Sequence, residues 1–422
     1  MPPTAIVMNM YYTGLGIARS LGERGVPVIG LTARRMVYGN FTSHAKTSFT
    51  FDSREQPEAL LQHLVKMGRR LDGRSVIFPT RDHDVLFLDR YRQELGEHFS
   101  LVIPARSALQ ACLNKWETYR CAVQAGVASP KCWLVENESQ LEDVAREAAY
   151  PCVLKPVAAH DWRKGNNWEL VGGRKAIRIG ALEELRTVYA AVSRVDKRVL
   201  VQEIVQGGDD CLSVAACYMD RQGRFAGGFS AQKLMQIPSG FGTGCIVQTA
   251  DRPELVDPTI RLLESMQYTG IAEVEYKWDD TKRAYQLIEI NPRPWDQHRL
   301  GKYSGCDLIY LAYCDHAGLP KPSHVIPADS SSSPCKWVAE DALFFEVCRL
   351  FWRRDPALRE VKRLLAGRRT FAIWSARDPF PFLAFLIGQA IPWIALTGMR
   401  RFWWALKKAV TGQVPLRKEG SV

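Results

Sequence analysis

The chain has 422 residues, 46% of them apolar and 24% charged, with 31 Gly and 23 Pro. That composition excludes a disordered chain, a collagen and a small disulfide scaffold, and leaves room for roughly two to four domains with ordinary cores. The formal charge is +11, but Arg349–Val422 carries 15 Lys and Arg against 4 Asp and Glu, so the 348 residues before it, with 41 of each sign, are neutral. A nucleic-acid-binding protein more often spreads its basic residues over folded domains, so no nucleic-acid partner is expected. The basic tail also holds Trp352, Trp374, Trp393, Trp403 and Trp404, a membrane-surface composition. The 11 cysteines are odd in number and form no CxxC pair. With no basic leader ahead of the apolar start, they read as reduced thiols in a cytoplasmic protein.

In chain order, Thr4–Met8 reads as a strand, Ile17–Arg24 as a helix and Val26–Leu31 as a second strand. Ser75–Phe78 and Leu101–Ile103 follow as strands, separated by a helical stretch over Asp84–Leu95. Strand–helix–strand at this spacing predicts a parallel, doubly wound sheet, so the fold class is α/β in this part and α+β overall. The turn Tyr11–Gly16 contains GxG without a full GxGxxG, and no acidic residue ends the second strand. It reads as a tight turn with no dinucleotide. Asn114–Ser129 reads as a helix and its stop,. Strand-like runs follow at Cys152–Lys155, Val199–Val205 and Tyr285–Ile290, interleaved with a polar stretch, His160–Lys175, and a Gly-rich one, Ser239–Gly244. Asp329–Ser333 is the clearest linker,.

The strongest chemical signal is Glu275 followed, after a gap of 13 residues, by Glu289-x-Asn291-x-Arg293. Period-two alternation sends Leu287 and Glu289 to one face of a strand, and Asn291 continues that side. A carboxylate and an amide carbonyl projecting together suit a Mg²⁺ that stays partly bound to phosphates, and Glu275, in the alternating stretch Ala272–Tyr276, completes the set from a neighbouring strand. Arg293 supplies a fixed positive charge for a phosphoryl or acyl-phosphate oxygen. The plainer alternatives are exposed edge-strand carboxylates for Glu275 and Glu289, a solvated lysine for Lys155 and a turn residue for Asp210. His160 and His298 read equally as structural or catalytic. There is no His/Cys pattern for zinc and no GxSxG for a serine nucleophile.

This set resembles the metal-binding signature of the ATP-grasp superfamily, and further landmarks fall in the family's order. Asn114-Lys115 resembles the Asp-Lys that opens the fold, with Asn in place of Asp. Tyr150–Pro156 resembles the strand whose basic residue, here Lys155, reaches the nucleotide phosphates. Gln202-Glu203-Ile204-Val205 resembles the hinge that holds adenine, Asp210 the carboxylate that holds ribose, and Lys233 a further phosphate-contacting residue. The charged, bulky His160–Gly165 departs from the family's small Gly-rich phosphate loop. The likeness runs from about Thr4 to Pro320 and is nearest the carboxylate–amine ligase branch, which holds D-aspartate ligase and carbamoyl-phosphate synthase.

The resemblance implies a Rossmann-like N-terminal domain over 1–112, an ATP-grasp fold of two α+β subdomains over 113–328 with a lid near 130–200, and a helical C-terminal extension over 329–422. It implies ATP and Mg²⁺, with Mn²⁺ as a substitute, and an ADP-forming ligase that joins a carboxylate to an amine through an acyl phosphate, on amino-acid or peptide-like substrates. Lys115 and Lys155 would hold the α- and β-phosphates, and Gln202, Glu203, Val205 and Asp210 the nucleoside. Glu275, Glu289 and Asn291 would bind the metal, while Arg293 and Lys233 act on the reacting group. Trp295–Arg299 would face the acceptor, with Arg299 a candidate for a substrate carboxylate; a helix start with surface charges is an equal alternative. A kinase-like phosphotransferase is the alternative within the fold; a non-catalytic, membrane-associated nucleotide-binding protein is the alternative outside it, disfavoured by the intact metal set. Many members of the family are dimers, so a homodimer is an open expectation.

The 21 residues Pro379–Met399 carry no charge and are flanked by Arg377, Arg400, Arg401, Lys407 and Lys408. Three prolines and a basic end argue against a spanning helix and for peripheral or monotopic contact with the cytoplasmic face of a membrane, with packing on the core as the alternative.

Overall fold

The computed structural model describes residues 2–158, 162, 169, 171–172, 176–240, 242–322 and 333–396. The linker Asp329–Ser333 falls almost entirely outside the described residues, as do most of His160–Lys175 and the basic end beyond 396. All 11 cysteines are unpaired.

Three sheets organise the chain. The first comprises β1 (Ala5–Met8), β2 (Val28–Thr32), β3 (Lys46–Phe49), β4 (Ser75–Phe78) and β5 (Phe99–Leu101) in the order β3-β2-β1-β4-β5, every neighbour parallel. All four residues of β1 and of β4 are buried, because helices cover both faces of such a sheet. The strand expected at Leu101–Ile103 lies two residues earlier, and the first helix begins sooner, at Tyr12–Gly22. β3 escapes the sequence reading because Lys-Thr-Ser-Phe is a half-exposed edge with no apolar periodicity,.

The second sheet comprises β6 (Cys132–Val135), β7 (Cys152–Pro156), β8 (Ile177–Ile179) and β9 (Val199–Glu203), antiparallel in the order β6-β9-β7-β8. Helices Glu138–Glu147 and Leu182–Val192 bury Leu141, Val144 and Leu185 in one core with Leu154 and Val201.

The third sheet holds the chemistry. Its strands are β10 (Leu212–Met219), β11 (Phe225–Ile237), β12 (Thr243–Ala250), β13 (Gly270–Asp279), β14 (Ala284–Asn291), β15 (Lys336–Val338) and β16 (Arg369–Phe371), in the order β14-β13-β10-β11-β12-β15-β16. All pairings are antiparallel except β15 with β16. β10 is buried along its whole length. Its alternate residues enter two cores: Ala215 and Cys217 with Leu262 of the helix Pro253–Ser265, and Val214 and Ala216 with Ile309 of the helix Leu308–His316. Residues beyond 333 thus extend the central sheet through β15 and β16.

The C-terminal segment is tied down by buried polar contacts. Glu340 accepts the backbone N–H groups of Ala372 (2.9 Å), Ile373 (2.8 Å) and Trp374. Asp378, 1% exposed, accepts from Arg19 Nε (2.9 Å), Thr42 Oγ1 (2.6 Å) and Ser43 N (2.9 Å). The uncharged stretch then runs as a helix, Phe380–Phe385, a π-helical turn, Leu386–Ala390, and a further turn to 396. Pro381, Phe385 and Ala390 are buried, and Trp393 stacks on Trp352 with ring centroids 5.3 Å apart. Phe380, Leu383, Ile387, Ile391 and Ile394 are exposed. One face of this helix therefore packs on the core and the other faces outward. No helix among the described residues is long and apolar enough to cross a membrane.

Candidate functional site

Two adjacent strands build the site. The register pairs Glu273 with Asn291 and Glu275 with Glu289, and a bulge follows between Glu275 and Tyr276. Period two places Glu273 and Glu275 on the same face of β13, and Glu289 and Asn291 on the matching face of β14. Asn291 Nδ2 donates to Glu273 Oε2 (2.9 Å) and Glu289 Oε1 (3.3 Å), which turns its carbonyl toward Arg293, whose Nη2 lies 3.4 Å away. Lys233 reaches across from β11 and donates to Glu275 in a short ion pair, both side chains nearly buried.

The second sheet and a helix fastened to it supply two further lysines. Asn114 caps the helix Lys115–Gln124, its side chain accepting from Trp116 N (3.0 Å) and Glu117 N (3.2 Å), so Asn does here what Asp does equally well at an N-cap. Lys115 N donates to Val157 O (2.8 Å), which fastens the helix start to the end of β7, the strand that carries Lys155. Lys115 Nζ lies 3.8 Å from Glu289 Oε2. Lys115, Lys155, Lys233, Glu275, Glu289 and Asn291 thus form one electrostatic cluster.

The titrations follow from this crowding. Enclosure pushes the Lys155 ammonium down to about 8, and neighbouring Lys115 acts the same way. Burial lifts Glu273 to about 7 against the pull of Lys233. Burial also lifts Glu275, again opposed by Lys233. Desolvation acts upward on Glu289 too, but Lys115, Lys233, the Asn291 hydrogen bond and Lys155 hold it at about 2. Glu289 is therefore the permanently ionised carboxylate of the three.

Among the described residues no group of three His, Cys, Asp or Glu side chains is set to hold a metal ion by itself. Ionised Glu289, the Asn291 carbonyl and Glu275 still make a hard-oxygen set of the kind Mg²⁺ uses when phosphates and water complete its shell.

The remaining expected residues divide in two. Arg293 Nε pairs with Asp82 Oδ1 at 2.6 Å, which brings the first sheet to the site. The Glu203 carboxylate accepts from Lys282 (3.0 Å) and Lys131 N (3.2 Å), and its own N–H donates to Lys131 O (3.0 Å), beside half-buried Gln202 and buried Val205. Asp210 is exposed, while its neighbour Asp209 is consumed by Gln236 and Gly240 N. Arg299 is not available to a substrate: its Nη2 pairs with Glu23 at 3.0 Å. Trp295, Gln297 and His298 are buried, while Arg299 and Asp296, which accepts from Thr13 Oγ1 at 2.7 Å, are half-buried. His298 is structural: its Nε2 meets Thr13 O (3.1 Å), and burial drops its pKa to about 4. His160 and the bulk of its loop lie outside the described residues.

Two site residues escaped the sequence reading. Glu273 is in phase with Glu275, so the alternation of Ala272–Tyr276 carried the signal. Asp82 lies 211 positions from its partner Arg293 and left none.

No family model matches the chain. It is 24% identical over 213 residues to D-aspartate ligase of Enterococcus faecium, covering 49% of this chain and 50% of the relative. It is 26% identical over 208 residues to the vancomycin C-type resistance protein VanC2 of Enterococcus casseliflavus, covering 45% and 53%. The chain spans about half the length of the curated relatives it matches. Similar solved structures include the biotin carboxylase–β,γ-ATP complex of Campylobacter jejuni (TM-score 0.61, 17% identity, 76% of this chain and 72% of that one). The ADP complex of purK, N5-carboxyaminoimidazole ribonucleotide synthetase, is similar over 86% of both chains (TM-score 0.60, 15% identity). A third is the dimeric biotin carboxylase domain of Hydrogenobacter thermophilus 2-oxoglutarate carboxylase, solved with MgADP, ADP and bicarbonate (TM-score 0.59, 14% identity, 77% and 72%). At these identities the structures establish a shared fold.

Proposed function

We propose that this chain, which has the ATP-grasp fold, is an ATP-dependent, ADP-forming ligase that joins a carboxylate to an amine. The observation that carries the reading is the convergence of Glu275, Glu289, Asn291 and Lys233 on one face of the central sheet, near Lys115 at a helix start and Lys155 of the second sheet. The relatives' names point the same way: one is a ligase of an amino acid.

Phosphoryl transfer to a carboxylate asks for positioning and charge neutralisation and needs no covalent protein nucleophile. Lys115 and Lys155 would grip the α- and β-phosphates of ATP, with the Gln202–Val205 backbone on adenine and Asp210 on ribose. Glu275, Glu289 and Asn291 would hold Mg²⁺, which when bound offsets the charge on the phosphates. Lys233, which reaches the same face from β11 and donates to Glu275, would contact the transferred phosphoryl group. Arg293, fixed by Asp82, would hold the acyl phosphate and then the oxyanion formed as the amine adds. Asp296 is the accessible group nearest Arg293 in sequence for an incoming ammonium.

The test is ADP and phosphate release over amino acids and short peptides, with and without amines. Release that requires both partners supports ligation. A stable phosphorylated product formed without an amine would favour a kinase-like enzyme instead.

A second reading concerns the C-terminal helix. The outward apolar stripe of Phe380, Leu383, Ile387, Ile391 and Ile394 stands beside a sequence rich in Arg, Lys and Trp. An anionic bilayer complements that charge, whereas a second copy of the same basic segment would be repelled. Peripheral membrane contact is accordingly part of the proposal.

A further inference from the structure

A cavity of about 210 Å³ opens at the carboxyl ends of the parallel strands β1, β2, β3 and β4. The strand order reverses between β1 and β4, and parallel sheets take ligands in the crevice outside such a switch point. The volume falls below the ~300–1,000 Å³ of sites for drug-sized ligands, so it suits a molecule of amino-acid size.

One wall is rigid, a single guanidinium held between two carboxylates. Arg81 donates to Asp52 Oδ2 (3.0 Å), Asp84 Oδ1 (2.8 Å) and Ser53 Oγ (3.2 Å). The polar groups on the opposite side make no side-chain hydrogen bond or ion pair among the described residues. The Thr50 hydroxyl is buried with no hydrogen bond. Asn9, which ends β1 in the left-handed region at φ 69°, has its side-chain amide in none of the hydrogen bonds among the described residues. The Arg34 guanidinium makes no ion pair among the described residues, although its backbone is held in place. Arg34 O accepts from Thr32 Oγ1 (2.8 Å) and Asn40 Nδ2 (2.9 Å). The rings of Tyr11 and Phe51 also line the cavity, each more than a third exposed.

A buried hydroxyl without a partner is rare in folded proteins and marks a position that something else completes. The guanidinium of exposed Arg34, an amide and a hydroxyl around one small space are the donors a carboxylate satisfies,. The position also fits: the residue after Arg81 is Asp82, which holds Arg293.

We propose that this cavity binds a small organic carboxylate of amino-acid size, with Arg34 pairing the carboxylate and Thr50 and Asn9 completing its hydrogen bonds. That the bound molecule is a substrate, anchored by its non-reacting end while the reacting end extends toward Arg293, rests on the ligase reading; the binding itself does not. Isothermal titration of the full chain without nucleotide tests it, with D-aspartate, succinate and inorganic phosphate as probes and ADP as the control. D-Aspartate or succinate should bind. Arg34→Gln and Thr50→Val should each weaken that binding about tenfold or more and leave ADP affinity unchanged. The proposal falls if neither carboxylate binds the wild type, or if Arg34→Gln binds both as well as the wild type. It also falls if phosphate binds as tightly as the carboxylates, which would make this a general anion site. Carboxylate binding with no ADP release under any substrate pair would sink the ligase reading and leave the pocket standing; the reverse pattern would do the opposite.

Discussion

Lys155 makes the sharpest residue-scale prediction because its ammonium is held down to about 8. The charged form is the one that binds phosphates; it predominates at pH 7, falls to about half near pH 8 and is lost as pH rises further,. ADP should therefore bind about tenfold more weakly at pH 9 than at pH 7, the loss expected when only the protonated form binds. Lys155→Arg should flatten the profile, since guanidinium stays charged throughout. Titration calorimetry across this range checks both, and an unchanged wild-type affinity at pH 9 would remove Lys155 from the phosphate site. Glu275, Glu289 and Asn291 were legible as candidates because they sit on strands where two-residue periodicity sets which side chains share a face, and Arg293 because it follows the second of them at once. The pairing of Lys233 with Glu275 was not, because it depends on how β10 joins β11 to β13. Nor was the occupation of Arg299 by Glu23, which lies 276 positions away.

At the scale of elements, Gly14 and Gly16 lie inside the first helix, not in the turn expected over Tyr11–Gly16, and close packing accounts for both glycines. A Cβ on Gly14 would stand 1.9 Å from the carbonyl oxygen of Asn9, and one on Gly16 would stand 2.6 Å from His298 Nε2. The glycines let the first helix close on β1 and on the segment that follows Arg293. Gly14→Ala should be the more damaging, since a backbone carbonyl cannot step aside as a side chain can. Gly16→Ala should cost about 1–3 kcal/mol, and urea unfolding ranks the two. The Arg19–Asp378 pair anchors the C-terminal segment from fully buried positions. Asp378→Ala should cost about 3–5 kcal/mol by leaving a buried guanidinium uncompensated, and an Arg19→Met, Asp378→Leu double variant should recover most of that. A loss below 1 kcal/mol in the single variant would show that the segment is not anchored there. Strands with strong apolar runs, β1, β4, β7 and β14, were readable. β3 and β16 were not, being short and partly exposed, and β15 was missed although two of its three residues are buried, a run too short to show a period.

For the molecule as a whole, the α/β plan and the ATP-grasp likeness were legible because the landmarks keep their order along the chain. The outer face of the C-terminal helix was not, because an uncharged sequence does not say which side packs inward. Ile387 is 68% exposed and Ile391 58%, so Ile387→Glu with Ile391→Glu should leave stability nearly unchanged. The pair should abolish pelleting with phosphatidylserine-containing vesicles while ADP release persists. Equal pelleting of variant and wild type would remove the stripe from any membrane contact. The central claim is that Glu289 and Asn291 carry an ADP-forming ligation. It is tested most directly by ADP release from wild type, Glu289→Ala and Asn291→Ala at saturating Mg²⁺, with a carboxylate and amine pair that the wild type turns over. Both variants should fold with unchanged circular dichroism and release no ADP; substantial turnover by either would contradict the account.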